Sequence, residues 1–232
     1  MRFLAILLFL LSFNAYSATF KESLASQIKS THSRPITNYK EARTILFGNL
    51  YLRPDNTLKD VYCDMTFTGK QGVGKGKIPD PNIVNCEHTW PQSKFTNQHP
   101  IDIQKNDLHH LFPAYSKANT SRSNLPLGTV TNDERPVPNC SASMHGQLFE
   151  TETEGFEPPN HHKGNAARAL LYFAIRYDMD ISNELEMTYR TWNDLDPVDQ
   201  EEREVNLKIK DIQGNSNVFI EHPEYVDQVD DF

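Results

Sequence analysis

The most informative stretch of this chain reads Asn85-Cys86-Glu87-His88-Thr89-Trp90-Pro91-Gln92-Ser93. A second polar stretch follows it, Asp107-Leu108-His109-His110-Leu111-Phe112-Pro113, and Asn119, Arg122 and Asn124 come soon after. Acids, histidines and asparagines are therefore concentrated in one short window that is rich in turn-forming residues. Because catalytic groups tend to lie on loops held by a rigid scaffold, this window is the candidate functional site.

Glu87 and His88 carry the side chains that hydrolysis of a phosphodiester bond requires. A neutral histidine, whose ordinary pKa is about 6.5, can take a proton from water. A carboxylate can hold a hard divalent ion such as Mg²⁺, which also binds the substrate phosphate. A lone Glu-His pair is more often an exposed acid beside a partly buried histidine, so the pair alone does not establish an active site.

The second stretch allows two interpretations. Asp107 and His109 would lie on one face of a strand and could bind zinc, whereas the adjacent His109 and His110 cannot share a face. The interpretation that we favour gives these residues framework roles. One histidine would then be buried and hydrogen-bonded, and the apolar residues of the stretch would lie in the core.

Residues 1–18 have the pattern of a secretory signal peptide. Arg2 supplies a positive charge, an apolar run from Phe3 to Phe13 follows, and Ala15-Tyr16-Ser17-Ala18 offers small residues for cleavage. The apolar run is shorter than the roughly 20 residues that span a bilayer, although an uncleaved anchor is the alternative. We therefore expect a periplasmic or secreted protein.

The rest of the chain, residues 19–232, is expected to form one domain with a sizeable core, because no linker or repeat interrupts it. Its three cysteines, Cys63, Cys86 and Cys140, allow one disulfide and one free thiol in an exported protein, and all three pairings remain open. None of them has the short spacing of a zinc knuckle.

The net charge of −8 argues against a tight, strongly basic nucleic-acid binder. The acidic residues are concentrated at the C-terminus, however, where residues 196–232 hold eleven acidic and three basic side chains. Residues 64–135, which include the candidate site, hold eight basic and seven acidic ones. An enzyme that must release its product does not need a strongly basic face, so nucleic acid remains an admissible substrate.

Apolar periodicity predicts a helix-rich α+β fold, a single domain with a small sheet. Alternation of apolar and polar residues predicts one strand over residues 60–67. Gly214 is expected to lie near the C-terminal cap of the last long helix. The helices are predicted over residues 21–30, 38–50, 163–177 and 198–210.

Together these stretches resemble the endonuclease I family, which comprises secreted and periplasmic bacterial nucleases with a ββα-metal active site. The resemblance continues beyond the site and covers nearly the whole mature chain in the expected order. Its further blocks are Phe156-Glu157-Pro158-Pro159, Lys163-Gly164, Ala167-Arg168-Ala169, Arg176-Tyr177, Asp196-Pro197-Val198-Asp199, Gln213-Gly214-Asn215 and Glu221-His222-Pro223.

The resemblance implies roles for three residues. His88 matches the general base that activates the attacking water, Glu87 matches the carboxylate that binds the divalent ion, and Asn119 matches the second metal ligand, on the helix of the motif. The ion would be Mg²⁺, with Mn²⁺ or Ca²⁺ as alternatives. The implied activity is cleavage of DNA, with RNA as a further substrate, without sequence preference and with 5′-phosphate products. We expect a monomer.

This chain departs from the family pattern in the loop after His88. Some members carry an arginine there that steadies the phosphate, but residues 89–106 contain none. The candidate phosphate contacts are therefore Lys94, Lys105 and Arg122. A lysine lacks the two-pronged geometry of arginine, and Arg122 equally resembles a framework residue.

Three other hypotheses stay open at this point. The chain could be a secreted ribonuclease of the same fold that acts little on DNA. It could be a noncatalytic exported protein that binds nucleic acid or metal. Finally, it could be a zinc hydrolase built on Asp107 and His109.

Overall fold

A computed structural model describes residues 20–232, and the predicted signal peptide lies outside this part of the chain. The eight α-helices of the described residues are α1 (20–31), α2 (Tyr39–Ile45), α3 (Ile101–Asn106), α4 (Ser116–Arg122), α5 (Asn160–Tyr177), α6 (Asn183–Leu195), α7 (Gln200–Gln213) and α8 (Val218–Glu221). Its six strands are β1 (Leu58–Lys59), β2 (Thr66–Phe67), β3 (Val84–His88), β4 (Leu111–Tyr115), β5 (Met144–Gln147) and β6 (Glu154–Glu157).

The strands form three separate antiparallel pairs, β1 with β2, β3 with β4 and β5 with β6. The α+β prediction is confirmed, although three two-stranded sheets take the place of the one small sheet that was expected. None of the helices within residues 20–232 is long and apolar enough to cross a membrane.

Helix α5 is the centre of the core. Fourteen of its eighteen residues are buried, including Leu171, Tyr172 and Phe173. A helix that is buried on nearly all sides is typical of a domain centre rather than of a surface position. The predicted helix over residues 163–177 is therefore confirmed, and it begins three residues earlier than expected, at Asn160.

Helix α7 confirms the predicted helix over residues 198–210 with bounds shifted by a few residues. The Asp199 carboxylate accepts a hydrogen bond from the Glu202 N–H and caps the first turn. Gly214 ends the helix with φ 95°, and a Cβ there would lie 2.3 Å from Ser33 Oγ. Both observations require glycine at this position.

The predicted strand over residues 60–67 is wrong except for its last two residues. The buried Asp60 carboxylate accepts hydrogen bonds from the N–H groups of Tyr62, Cys63 and Met65, which folds this segment into a turn. An aspartate that bonds backbone groups two and three residues ahead competes with strand pairing. Only Thr66–Phe67 pairs, with Leu58–Lys59.

A disulfide joins Cys63 to Cys140, and Cys86 is a buried free cysteine. This selects one of the three pairings that the sequence left open. Because the bridge connects residues that are 77 positions apart, it ties the turn after Asp60 to the segment that precedes β5. A cross-link over a loop of this length stabilises the fold mainly by restricting the unfolded chain.

Candidate functional site

A ββα unit carries the candidate site. Strand β3 runs antiparallel to β4, with Glu87 opposite Phe112 and His88 opposite Leu111. Helix α4 follows β4 without an intervening loop and packs back on β3. The predicted ββα motif is therefore formed, and it brings Glu87, His88 and Asn119 to one cleft.

The cleft has a volume of about 640 Å³ and is open to solvent. Helix α2 contributes part of its lining, and the segments after β3 and after α4 contribute another part. The residues that line it are Tyr39, Arg43, Pro81, Asn85, Cys86, Glu87, His88, Pro91, Gln92, Ser93, Asn119, Arg122, Ser123 and Asn124.

Glu87 is fully buried at the floor of the cleft. Arg122 Nη1 lies 2.8 Å from Glu87 Oε1, but the guanidinium directs its N–H groups at the carbonyl oxygens of His88 and Thr89. In the described part of the chain, neither Glu87 oxygen accepts an aligned hydrogen bond. Burial raises the pKa of Glu87, and the charge of Arg122 and the nearby Tyr62 hydroxyl oppose that shift.

His88 is held in one tautomer. Its Nε2 lies 3.1 Å from the carbonyl oxygen of Lys105, and because a carbonyl can only accept, Nε2 must carry the proton. Nδ1 is then the basic atom, and the side-chain amide nitrogen of Gln92 lies 3.3 Å from it. Burial lowers the pKa of His88 well below its usual value, and a charge on His110 would lower it further, so the ring is neutral at neutral pH.

Asn119 is oriented by two neighbours on β3. Its Nδ2 donates to Asn85 Oδ1 at 2.7 Å and to the Cys86 carbonyl oxygen at 3.2 Å. Asn85 is fixed in turn, because its own amide nitrogen donates to Ser116 Oγ. These contacts occupy the nitrogen of the Asn119 amide and leave its oxygen free of any hydrogen bond within residues 20–232.

The residues present fit a hard divalent ion. A buried carboxylate whose oxygens lack aligned donors and an amide oxygen are the ligand types that Mg²⁺ takes from proteins. Residues 20–232 contain no cluster of three or more His, Cys, Asp and Glu side chains suited to a metal. A site of two protein oxygens suits an ion that keeps most of its waters and also binds phosphate.

The three predicted phosphate contacts occupy different places. Arg122 belongs to the cleft lining but is buried, bound to Glu87 and to two backbone carbonyls. Lys94 does not line the cleft but borders a neighbouring pocket, where partial burial and Arg122 lower its pKa. Lys105 lies behind the α2 side of the cleft, with Nζ 4.3 Å from the centre of the Tyr39 ring.

Sequence reasoning missed four residues that shape the site. Asn85 orients Asn119, and Gln92 contacts His88 Nδ1; both lie in the quoted stretch, but nothing in their spacing assigns them these partners. Tyr39 and Arg43 come from α2, more than forty residues before His88, and only the tertiary fold brings them to the cleft.

The second polar stretch belongs to the framework. Asp107 Oδ2 accepts hydrogen bonds from the hydroxyls of Tyr172 and Tyr177, at 3.0 and 2.9 Å. Its Oδ1 accepts from Gln213 Nε2 and from the His109 N–H, both at 3.1 Å. The Nε2 atom of His109 is occupied by the carbonyl oxygen of Asn215. The zinc hypothesis is therefore contradicted, because both oxygens of Asp107 already accept hydrogen bonds from protein groups.

Comparison with known proteins identifies a family and several relatives. A family model described as Endonuclease I matches residues 16–224. An extracellular ribonuclease of Bacillus amyloliquefaciens is 31% identical over 163 residues, which cover 62% of this chain and 53% of the relative. An extracellular deoxyribonuclease of Aeromonas hydrophila is 30% identical over 184 residues, 68% of this chain and 78% of the relative.

A longer match is Endonuclease-1 of Buchnera aphidicola subsp. Acyrthosiphon pisum (strain APS), which is 28% identical and covers 90% of this chain and 89% of the relative. The chain spans about half the length of the two Bacillus ribonucleases that it matches.

Proposed function

This chain belongs to the Endonuclease I family, and from that premise we propose that it is a divalent-metal-dependent endonuclease that hydrolyses phosphodiester bonds in DNA, with RNA as a further substrate. The observation that carries the proposal is the pair Glu87 and His88, which both line the cleft: a buried carboxylate without aligned donors next to a neutral imidazole whose basic atom, Nδ1, lies 3.3 Å from the Gln92 amide nitrogen. Relatives named as deoxyribonucleases and as ribonucleases support both substrates.

Glu87 and Asn119 would hold the metal, and we propose Mg²⁺ rather than Mn²⁺ or Ca²⁺. When bound, the ion supplies Lewis-acid stabilisation of the charge that develops on the phosphate. Arg122 favours the ionised form of Glu87, because its positive charge opposes the effect of burial on the carboxyl pKa. Asn85 keeps the amide nitrogen of Asn119 turned toward β3, so that the amide oxygen remains for the ion.

His88 would act as the general base. Its Nδ1 takes a proton from the attacking water while Nε2–H stays bonded to the Lys105 carbonyl, which stabilises the imidazolium that forms. The oxygen of that water bonds to phosphorus, the bond to the 3′-oxygen breaks, and the leaving oxygen takes a proton from solvent. The products would carry 5′-phosphates.

We propose that contacts to substrate are made to phosphate and sugar, which carry little sequence information. Cleavage would then show little sequence preference and would weaken with added salt. The names of the relatives, extracellular and periplasmic, support export of this chain. The nuclease domain would comprise residues 19–232 after removal of the signal peptide, and we propose that it acts as a monomer.

The direct test incubates the purified mature protein with supercoiled plasmid and with RNA, each in Mg²⁺ and in EDTA. His88→Ala is the inactive variant, and His161→Ala, which removes a half-exposed histidine outside the cleft, is the matched control. The proposal predicts cleavage in Mg²⁺ that EDTA and His88→Ala abolish and that His161→Ala retains. Binding without cleavage in Mg²⁺, Mn²⁺ or Ca²⁺ would overturn it, and cleavage of RNA alone would restrict the substrate to RNA.

A further inference from the structure

The side chains around the cleft differ in charge. The α2 wall, as we name it, consists of Tyr39 and Arg43, which line the cleft, and of Lys105, whose ammonium lies against Tyr39. The cleft is also lined by the neutral side chains of Gln92, Ser93 and Asn124, of which Asn124 donates to Ser93 Oγ. The further cation of the lining, Arg122, is already bound to Glu87 and to two backbone carbonyls. A polyanion that enters the cleft is therefore attracted to the α2 wall.

Arg43 is the residue of this wall that is free to bind a ligand. Its guanidinium carbon lies 5.5 Å from the centre of the Tyr39 ring. Within the part of the chain that the structure describes, no carboxylate lies within 4.0 Å of it, and its guanidinium donates no hydrogen bond. Two other arginines that are buried or half-buried are engaged, Arg168 with Glu202 and Arg190 with Glu186.

Tyr39 holds the two cations of the wall in place. Its ring has Lys105 Nζ at 4.3 Å and the Arg43 guanidinium at 5.5 Å from its centre, both within the range of cation–π attraction. The same ring lies 5.8 Å from the ring of His88. The wall therefore presents positive charge directly beside the proposed general base.

We propose that Arg43 binds a phosphate of the nucleic-acid backbone that flanks the one being cleaved. The planar guanidinium matches two phosphate oxygens, and all its donors are available. Tyr39 is the positioning residue for Arg43 and Lys105. This inference rests on the proposed nuclease function, and it supplies an arginine from α2 where residues 89–106 have none.

The test compares Arg43→Ala with Arg43→Lys and with Lys40→Ala. Lys40 is an exposed residue of the same helix that does not line the cleft, so its removal deletes the same charge at a different place. Binding of a fluorescent single-stranded oligonucleotide is measured by anisotropy in EDTA over a range of salt concentrations. Cleavage kinetics are measured in Mg²⁺, and melting temperatures confirm folding.

For Arg43→Ala we expect Kd and KM to rise roughly tenfold, the scale of a lost hydrogen bond to a charged group. The slope of log binding constant against log salt should become shallower by about 0.7, since one phosphate contact is lost. A flanking contact is made equally before and during the reaction, so kcat should stay unchanged. Arg43→Lys should keep the salt slope and bind more weakly, and Lys40→Ala should match the parent.

Tyr39 gives a second, independent comparison. Tyr39→Phe keeps the ring and should leave the salt slope and KM unchanged, whereas Tyr39→Leu removes it and should shift both toward the values of Arg43→Ala. A side chain that only supported the fold would lower the melting temperature in Tyr39→Leu without changing the salt slope.

Two results would overturn the inference: equal effects of Arg43→Ala and Lys40→Ala, or a fall in kcat with KM unchanged in Arg43→Ala. Both leave the proposed nuclease function intact as long as the parent protein cleaves. A parent protein that cleaves no nucleic acid in any metal would defeat the nuclease proposal instead, and Arg43 would then be judged from the anisotropy data alone.

Discussion

The protein contains two buried pairs of an acid and a histidine, Glu87 with His88 and Asp107 with His109. The two acids differ in the number of hydrogen bonds that their oxygens accept. Asp107 accepts hydrogen bonds on both oxygens from tyrosine, glutamine and backbone donors. Within residues 20–232, the Glu87 oxygens accept no aligned hydrogen bond, although Arg122 lies beside them. The partners, and not the residue types, distinguish a framework acid from a proposed metal ligand.

The electrostatics of the two acids differ in the same way. Burial by itself raises the pKa of both carboxyls. At Asp107 it is outweighed by His32, His109, His110 and the hydrogen bond of Gln213, which hold the pKa well below 3.8. At Glu87 the effect of burial prevails over Arg122 and the Tyr62 hydroxyl, and the pKa stays raised. The fold thus favours the charged form of Asp107 more than that of Glu87.

The largest effect is expected from removing the base. His88→Ala should lower kcat by roughly 10² to 10⁴, the usual contribution of a general base. His161→Ala is the matched control, because His161 is half-exposed and lies outside the cleft lining. Its kcat per folded molecule should remain close to that of the parent in a plasmid cleavage assay. Activity of His88→Ala within tenfold of the parent would refute the role of His88.

Asp107→Asn should act on stability and not on chemistry. Replacing a buried, fully bonded carboxylate should lower the free energy of unfolding by about 3 kcal/mol, because donors that faced a charge then face an amide. Urea denaturation measures this, with Asp102→Asn on the exposed side of α3 as the control. The activity of the folded fraction should stay within about threefold of the parent, on the scale of small perturbations. A specific loss of activity in a stably folded Asp107→Asn protein would restore a catalytic role to this stretch.

Asn85→Ala should loosen the metal site without removing a ligand. Asn119 loses the acceptor that fixes its amide, so the apparent Kd for Mg²⁺ in the cleavage assay should rise by roughly 10- to 100-fold. Asn85→Asp keeps an acceptor for Asn119 Nδ2 and should recover most of the affinity. If the two variants have equal Mg²⁺ affinities, Asn85 does not orient Asn119.

The free energy of unfolding should depend on pH differently in the parent protein and in Asp107→Asn. Because the folded protein holds the pKa of Asp107 below 3.8, this carboxylate contributes stability that is present above about pH 4 and is lost as the pH falls toward its folded pKa. Below pH 4 the parent should therefore lose up to about 1.4 kcal/mol per pH unit more than Asp107→Asn does. Urea titrations at several pH values provide the measurement, and parallel pH profiles would contradict it.

Elements with a strong local signal could be predicted from the sequence. Helices α5 and α7 were predicted because their apolar residues recur at helical spacing and because Gly214 ends the second one. The residues of the ββα motif were predicted through the ordered resemblance. Local patterns sufficed wherever the element was long or its motif distinctive.

The remaining elements and site residues could not be predicted, for two reasons. Some depend on contacts between residues that are distant in sequence, and others carry polar side chains at positions where the pattern of a helix or strand requires apolar ones. Residues 60–67 alternate like a strand, but the Asp60 carboxylate turns the backbone instead. Helix α6 was not predicted because part of its buried face is polar, including Glu186 and Asn193. Arg43 gave no signal at all, since only the tertiary fold, in which α2 contacts α3, brings it to the cleft.

The most direct test of Glu87 as a metal ligand is the thermal stabilisation of the protein by Mg²⁺ in the absence of nucleic acid. An ion that binds only the folded state raises the melting temperature by an amount that increases with the logarithm of the ion concentration relative to its Kd. The parent and Asp107→Asn should both gain melting temperature with added Mg²⁺, whereas Glu87→Gln, which keeps the shape of the side chain, should not respond. A response that persists in Glu87→Gln and disappears in Asp107→Asn would place the ion at the second stretch and contradict the account.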